Sequence, residues 1–273
     1  MYGKQAKNSY VDRTYRIKEK LGWGGSCTVY KAWHKRLRKY VTIKTAEISS
    51  AGAIAWHRNE VEALKNMKSL YLPQVVDFLI CDDQSYTILE FIEGTSFDTL
   101  LKDGHIFTEK QVLKWYRQLA VALQTIHSNN VCHRDIKPAN IVLTTSEDIC
   151  LIDFNSALVI GNHTGVASSS MGYASPEQYA YFMQCKNRNE QQHHIHSMCD
   201  IDWKLSDIYS LGATMYHLLT GIRPPMGAEG VSHITKLKGF SKDILAIIEQ
   251  SMRSVPSQRY KSADELHNAL LKV

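Results

Sequence analysis

The hydrophobic and polar positions change their period about a third of the way along the chain. Between residues 15 and 47, short runs rich in β-branched and aromatic residues alternate with a glycine-rich turn and a basic turn, which predicts strands. A helical period from Ala51 to Lys68 follows, and then two more extended runs, VVDFLIC and YTILEFI. After about Thr95 the apolar residues recur mainly at helical spacing. The pattern predicts an α+β chain with a strand-rich first third and a helix-rich remainder.

Capping residues locate three helices in the second part of the chain. The predicted N-terminal caps are Thr108, which forms a capping box with Gln111, then Ser206, before the apolar segment DIYSLGATMYHLLT, and Ser262, which forms a capping box with Glu265. Asn129-Asn130 is predicted to end the first of these helices, and Gly221 with the prolines after it the second.

Composition excludes several classes of protein. Of the 273 residues, 44% are hydrophobic, which is enough for a core and excludes a disordered chain. The net charge of +5 is too small to indicate a nucleic-acid binder. We find no apolar run of about 18 residues and no apolar leader, and so expect a cytoplasmic protein with no membrane span.

The six scattered cysteines are expected to be reduced. A zinc site drawn from Cys185, Cys199 and the histidines between them fits no standard spacing, and a polar loop is the favoured interpretation.

A glycine-rich segment and a strand lysine are the first candidates for chemistry. Residues 21–29, LGWGGSCTV, lie between two predicted strands, where glycines let backbone amides approach phosphate oxygens. An ordinary β-turn has the same composition. Lys44 lies in an apolar strand, where a lysine is costly unless an anion meets it, although an edge strand also carries such lysines. Glu60 on the next helix is its natural partner.

The most informative segment is VCHRDIKPANIVL, residues 131–143. Asp135, Lys137 and Asn140 supply groups that can act on a hydroxyl, a phosphate and a metal, and Asp153 follows a second apolar run. Such oxygen ligands suit Mg²⁺. A capped turn with a buried histidine explains either segment alone, but not both of them in this order behind a glycine-rich turn and a strand lysine.

These ordered motifs resemble the eukaryotic-type protein kinases, in a bacterial Ser/Thr-kinase form, from about Tyr15 to the end of the chain. Further matches are Ser175-Pro176-Glu177, Asp207 and Arg259. The resemblance implies a bilobal protein-kinase-like fold. Residues 1–14 are then an N-terminal tail, residues 15–92 a small β-rich N-lobe with one key helix, and residues 93–273 a larger α-helical C-lobe.

The resemblance also implies the site residues. Its catalytic group is Asp135, Lys137, Lys44 and Glu60, and its metal ligands are Asn140 and Asp153. Its nucleotide-binding residues are Leu21, Gly22, Trp23, Gly24, Gly25, Ser26, Cys27, Val29, Thr42, Lys44, Leu89, Glu90, Ile92 and Leu143. ATP and Mg²⁺, or Mn²⁺ in its place, are the implied cofactors. Asp207 is expected to support the catalytic loop, and Arg259 to pair with Glu177.

The chain departs from the family pattern at several positions. Cys27 replaces the third glycine of the loop, Thr42 replaces an alanine, and Asn155 stands where the metal-binding triplet usually ends in glycine. Because asparagine tolerates positive φ, we expect Asn155 to adopt it and activity to survive. A polar insertion that includes CKNRNEQQHHIH, residues 185–196, is expected to form a loop.

Because Arg134 directly precedes Asp135, the resemblance also implies control by phosphorylation of the activation loop, although serine runs in loops are commonly just solvated. The candidate acceptors are Thr164, Ser168, Ser169 and Ser170. By alignment, Ser170 is alternatively a residue of the substrate groove near Asp135 and Lys137.

The resemblance therefore implies an ATP-dependent protein kinase that phosphorylates Ser and Thr hydroxyls of protein substrates, itself included. Two alternatives stay open at this point. One is a nucleotide-binding pseudokinase scaffold, which the replacements Cys27 and Asn155 suggest. The other is a small-molecule kinase of related fold, which lacks the features at Glu177 and Arg259. The implied partners are protein substrates, without nucleic acid, and dimerisation is left open.

Overall fold

The structure is a computed structural model that describes residues 9–24, 27–48, 51–81, 83–161, 169–187, 201–224 and 234–273. Its helices are α1 (Ser9–Thr14), α2 (Ala51–Leu64), α3 (Phe97–Lys102), α4 (Glu109–Ser128), α5 (Pro176–Asn187), α6 (Trp203–Thr220), α7 (Lys242–Ser251) and α8 (Ala263–Leu270). Its strands are β1 (Tyr15–Gly24), β2 (Cys27–His34), β3 (Lys39–Glu47), β4 (Val75–Cys81), β5 (Gln84–Glu90), β6 (Gly94–Ser96), β7 (Val131–Cys132), β8 (Ile141–Thr144), β9 (Ile149–Leu151) and β10 (Leu158–Val159).

The N-terminal region is an antiparallel sheet in the order β1-β2-β3-β5-β4. Side chains alternate across a strand, so Val41 and Ile43 of β3 are fully buried on one face while Lys44 points to the other. Val11 of α1 packs into the same cluster, so a short helix within the expected N-terminal tail covers the sheet. The predicted strands between residues 15 and 90 are confirmed.

The C-terminal region is built on helices that share one large hydrophobic cluster. This cluster includes Trp115 and Leu119 of α4, Ile208 of α6 and Ile248 of α7. The short antiparallel pairings β6-β8-β9 and β7-β10 lie at its edge and carry the segments rich in polar residues. The end of α2 also joins the cluster, through Leu64, which connects this helix with both regions.

Several predicted boundaries are confirmed. Thr108 and Gln111 form the capping box at the start of α4, since each side chain accepts from the other's backbone amide. Gly221 ends α6 with φ of 69°. Ser262 caps α8 by accepting from Glu265 N, but the Glu265 carboxylate accepts from Lys261 N, so that capping box is only half formed.

Other boundary predictions are wrong. Asp202, and not Ser206, is the N-cap of α6, because its carboxylate accepts from the amides of Lys204 and Leu205. Helix α2 ends at Leu64, four residues before the predicted Lys68. The predicted polar loop is helical where it begins, since α5 continues to Asn187; its remainder lies outside the described residues. Within the described part of the chain, none of the helices combines the length and apolar character needed to cross a bilayer.

Candidate active site

Lys44 joins the two regions of the molecule at a buried cluster of charges. Its Nζ lies 2.6 Å from Oε1 of Glu60 on α2 and 2.9 Å from Oδ1 of Asp153 in the segment after β9. The Glu60 side chain is 1% exposed and Lys44 12%, whereas Asp153 is 37% exposed. The predicted pairing of Lys44 with Glu60 is therefore present, and Asp153 presents its carboxylate at the open side of the same cluster.

The electrostatic interactions of this cluster keep Lys44 and Asp153 charged. Burial by itself lowers the pKa of Lys44, but the carboxylates of Glu60 and Asp153 outweigh it and raise that pKa above its ordinary value. Burial raises the pKa of Asp153, and the ammonium of Lys44 outweighs it so that the pKa is lowered. Lys44 is thus a fixed cation and Asp153 a fixed anion near neutral pH.

The predicted backbone conformation of Asn155 is wrong. The positive φ, 68°, is at Asp153, and Asn155 lies within the 3₁₀ turn Phe154–Ser156. Its side-chain amide donates to Oδ1 of Asp153 over 2.7 Å. Phe154 is fully buried against His133, with its backbone amide donating to Glu60. The asparagine at position 155 therefore acts through its side-chain hydrogen bond to Asp153, and not by adopting a positive φ.

The Asp135 carboxylate contacts two side chains of its own segment and one from residue 170. Lys137 Nζ lies 2.7 Å from its Oδ2, and the Nδ2 of Asn140 donates to the same oxygen over 3.0 Å. Ser170 donates its hydroxyl to Oδ1 of Asp135 over 2.6 Å and accepts from Lys137. The structure places Ser170 beside Asp135 and Lys137, as the groove alternative expects, and shows that the Asp135 carboxylate can hold a hydroxyl at hydrogen-bond distance.

The segment that carries Asp135 rests on Asp207 of α6. The fully buried Asp207 carboxylate accepts from the backbone amides of His133 and Arg134, both over 2.8 Å. The same carboxylate lies 3.0 Å from Nε2 of His127. Arg134 adopts a positive φ of 64°, a conformation that costs about 1–3 kcal/mol and persists only where neighbours enforce it. Asp207 supplies that enforcement, which agrees with the supporting role that the resemblance implies for it.

The Arg134 side chain points into the protein interior. It is 2% exposed, its Nε donates to Ser156 O, and its guanidinium lies 4.8 Å from the centre of the Trp203 ring. Two of the candidate acceptors in the activation loop, Thr164 and Ser168, are outside the described residues.

A second tie holds α5 against the last helices. Arg259 donates from Nη1 and Nη2 to the two carboxylate oxygens of Glu177, over 2.7 and 2.9 Å. The Arg259 side chain is fully buried. The predicted pair is therefore present and bidentate.

Strand register gathers the residues predicted to bind the nucleotide base. Val29 lies opposite Lys44, and Thr42 opposite Leu89, on the adjacent strands β2, β3 and β5. Leu89 is buried, and Leu143 of β8 packs against the same hydrophobic cluster. These apolar side chains come from both regions of the molecule.

The remaining predicted nucleotide residues lie on β1, at the start of β2 and after β5. Leu21 is 45% exposed, and a Cβ built at Gly22 meets no described atom within 4 Å, so this strand borders open space. Burial raises the pKa of the Cys27 thiol. Glu90 ends β5, and Ile92 lies two residues beyond it. Of Trp23 and Gly24 the structure describes the backbone only, while Gly25 and Ser26 lie outside the described residues.

Sequence reasoning missed two buried supports of the site. Gln178 donates from Nε2 to Arg134 O over 2.6 Å and accepts from Ser206 Oγ. His127 contacts Asp207, as described above. Gln178 follows Glu177 directly, so a polar residue next to a matched motif was the available signal. Nothing near His127 in the sequence marks it.

Comparisons with known proteins agree with this geometry. A family model described as a protein kinase domain matches residues 15–273. The chain is 26% identical to the serine/threonine-protein kinase PknB of Mycobacterium tuberculosis, over 97% of this chain and 44% of that protein. It is 25% identical to a probable serine/threonine-protein kinase of Clostridium perfringens, over 95% and 38%, and 27% identical to one of Streptomyces coelicolor, over 92% and 38%. The chain thus spans less than half the length of these relatives.

Proposed function

The chain belongs to the protein kinase domain family, whose members use ATP and a divalent metal, and we propose that it transfers the γ-phosphoryl group of ATP to Ser and Thr hydroxyls of protein substrates, itself included. The observation that carries the proposal is the joint placement of two groups. Lys44 bridges Glu60 and Asp153, and Asp135 holds the Ser170 hydroxyl at 2.6 Å. One group suits phosphates and a metal, and the other suits an attacking alcohol.

In this proposal each side chain has one task. Lys44, oriented by Glu60, binds the α- and β-phosphates, and its raised pKa keeps it charged. Asp135 accepts the proton of the substrate hydroxyl and directs its oxygen toward the γ-phosphorus. Lys137, already bound to Asp135, lies where it can neutralise charge on the transferred phosphate.

The residues proposed as metal ligands suit a hard divalent cation, and we propose Mg²⁺, with Mn²⁺ as a substitute. Asn140 uses Nδ2 on Asp135, which turns its carbonyl oxygen the other way. Asp153 uses Oδ1 on Lys44 and Asn155, which leaves Oδ2 as its ligand atom. A carboxylate oxygen and an amide oxygen are ligands that Mg²⁺ accepts, and the metal supplies neutralisation of phosphate charge.

The adenine is proposed to lie between Leu21 and Val29 on one side and Leu143 on the other, with Thr42 above the ring. The backbone from Glu90 to Ile92 would bond its polar edge, next to the buried Leu89. Apolar walls with a few backbone polar groups are typical of nucleotide pockets. The glycine-rich segment, Gly22 to Cys27, would cover the phosphates. Residues 15–92 and 93–273 are the two lobes in this proposal, with residues 1–14 as a tail.

No described feature favours the pseudokinase alternative, because Lys44, Glu60, Asp135 and Asp153 are all present and mutually oriented. The Ser/Thr preference rests on Lys137 and on the names of the relatives. We also propose that it is a cytoplasmic catalytic domain whose partners are proteins.

The proposal is tested by incubating the protein with γ-labelled ATP, a generic protein substrate and either Mg²⁺ or Mn²⁺. We expect phosphoserine and phosphothreonine by mass spectrometry, and a rate at least about a hundredfold lower in Asp135→Asn, since the general base is lost. Asp202→Asn is the matched control, because it makes the same chemical change at an exposed helix cap. Incorporation that continues unchanged in Asp135→Asn refutes the proposal.

A further inference from the structure

A cavity of about 470 Å³ opens beside the side chains of Lys137 and Ser170, next to Asp135. One wall contains Lys137 and Ser170, and the side chains of both bond to Asp135. We call this cavity the Arg223 groove and define it by Asp98, Lys102, Lys137, Ser170, Tyr173 and Arg223. Because the groove begins beside Asp135, the proposed base, a peptide whose hydroxyl binds Asp135 must place a neighbouring residue in or across it.

The charges of the described groove residues are unequal. Lys102, Lys137 and Arg223 are cations, and Asp98 is the one carboxylate that the described part of the chain contributes to the lining. Asp98 already forms an ion pair with Lys102 at 2.6 Å, and Lys137 with Asp135 at 2.7 Å. Within the described ranges Arg223 has no such carboxylate. The wall therefore carries a positive charge that no described side chain of the groove neutralises.

Arg223 is held in position to use that charge. Its guanidinium lies 5.2 Å from the centre of the Tyr173 ring, and the residue is exposed. The Tyr173 hydroxyl is 2.7 Å from Nδ1 of His217, so the ring that supports Arg223 is itself fixed. Burial and then the charge of Arg223 lower the pKa of His217, which is therefore neutral near pH 7. The positive charge of the groove thus depends on Arg223 and not on a titrating histidine.

We propose that the Arg223 groove binds an anionic side chain of the substrate, a carboxylate or a phosphate, next to the Ser or Thr that is phosphorylated. The proposal rests on the proposed function and names its substrate class. An arginine fork binds carboxylate and phosphate oxygens in a bidentate way, which makes Arg223 the specificity-determining residue. A basic substrate residue meets three cations, Lys102, Lys137 and Arg223, and one carboxylate that is already paired, and is disfavoured. The exposed Ala139 adds no competing acid to this wall.

Peptide binding tests the groove without depending on catalysis. Fluorescent peptides carry alanine at the acceptor position and one aspartate, phosphoserine, glutamine or lysine at each position up to three residues before or after it. Anisotropy should show, at one or more positions, a Kd for aspartate or phosphoserine about tenfold below that for glutamine, and the weakest binding for lysine. Aspartate binding as tightly as phosphoserine indicates acidic substrates, while a preference for phosphoserine indicates substrates phosphorylated beforehand. Equal affinities, or a preference for lysine, overturn the proposal.

Charge reversal assigns the preference to named residues. Arg223→Glu should abolish the aspartate preference or turn it into a lysine preference, and Arg223→Lys should retain part of it. Lys102→Glu changes a side chain that is 74% exposed, and it should reduce the aspartate preference without disturbing the contact between Arg223 and the Tyr173 ring. Lys272→Glu, an equal change of charge at an exposed residue of the last turn, should leave it unchanged. An unaltered preference in both groove variants contradicts the assignment.

A parallel assay with Ser and Thr peptides separates the two proposals. If the protein phosphorylates peptides, kcat/KM should follow the same order as binding. If no peptide and no protein becomes phosphorylated while the anion preference in binding persists, the proposed function fails and the groove assignment stands. If phosphorylation occurs with no anion preference, the groove proposal fails and the proposed function stands.

Discussion

Replacing Asp207 by asparagine removes one acceptor from a carboxylate that receives three hydrogen bonds. Oδ2 accepts from His133 N and lies against His127 Nε2, and Oδ1 accepts from Arg134 N. In its best orientation the asparagine amide keeps its oxygen at His133 N and His127 Nε2, and its N–H groups then face the N–H of Arg134. A lost hydrogen bond to a charged group costs about 1.5–3 kcal/mol, and an unsatisfied buried donor about 1–3 kcal/mol. We therefore expect Asp207→Asn to lower the free energy of unfolding by about 3 kcal/mol.

The same change should also affect catalysis, because Asp135 directly follows Arg134. A small displacement of a reacting group costs up to about a hundredfold in rate, so we expect kcat to fall by about ten- to a hundredfold with little change in KM for ATP. Urea unfolding gives the stability and phosphate transfer gives kcat. Asp202→Asn is the control, since asparagine caps a helix as well as aspartate does and should change either quantity little. If the two variants unfold at the same urea concentration, Asp207 does not support this segment.

Three further changes are predicted. Arg259→Leu leaves the Glu177 carboxylate without its partner and should lower the free energy of unfolding, measured with urea, by about 3–5 kcal/mol. Combined with Glu177→Gln, it should lower that free energy by less than the sum of the two single changes. The pKa of His217 is lowered in the folded protein, so as the pH falls His217 is protonated in the unfolded chain before it is protonated in the folded one. The free energy of unfolding should therefore fall as the pH drops below about 6.5, and it should fall more steeply than in the variant His217→Asn. Asn155→Gly removes the amide bound to Asp153 and loosens the turn, so phosphate transfer should require several-fold more Mg²⁺, and an unchanged requirement contradicts the positioning role.

Local sequence rules succeeded where the partners are close in the chain. The capping box of Thr108 and Gln111 needs only residues three apart, and the alternation of β3 follows from one buried face. Ser206 misled the same rules because its hydroxyl serves a distant partner. It contacts Ser175 and Gln178, which are remote in sequence, and so it lies inside a helix that Asp202 begins. Capping propensity cannot distinguish these two uses of a serine hydroxyl.

In the candidate site, too, local motifs could be predicted from the sequence and contacts between distant residues could not. The motifs identified Lys44, Glu60 and Asp153 as a functional set, but their distances depend on a fold that brings together residues 109 positions apart. The groove charge could not be predicted either, because Arg223 lies in no matched motif and its neighbours come from α3 and the end of α6. Motifs that bind a common cofactor are local and recurrent, whereas residues that select a substrate are assembled by tertiary packing.

At Asn155 a motif rule and the folded structure lead to different conclusions about activity. Its replacement of a glycine suggests an inactive protein if the position itself needs positive φ. In the structure Asp153 bears the positive φ instead, so the turn accommodates a Cβ at residue 155. The side chain then gives Asp153 a second donor beside Lys44, which fixes Oδ1 and leaves Oδ2 for the metal that we propose there. Since a positioned carboxylate loses less freedom on binding a cation, the replacement is consistent with catalysis and removes the main sequence argument for a pseudokinase.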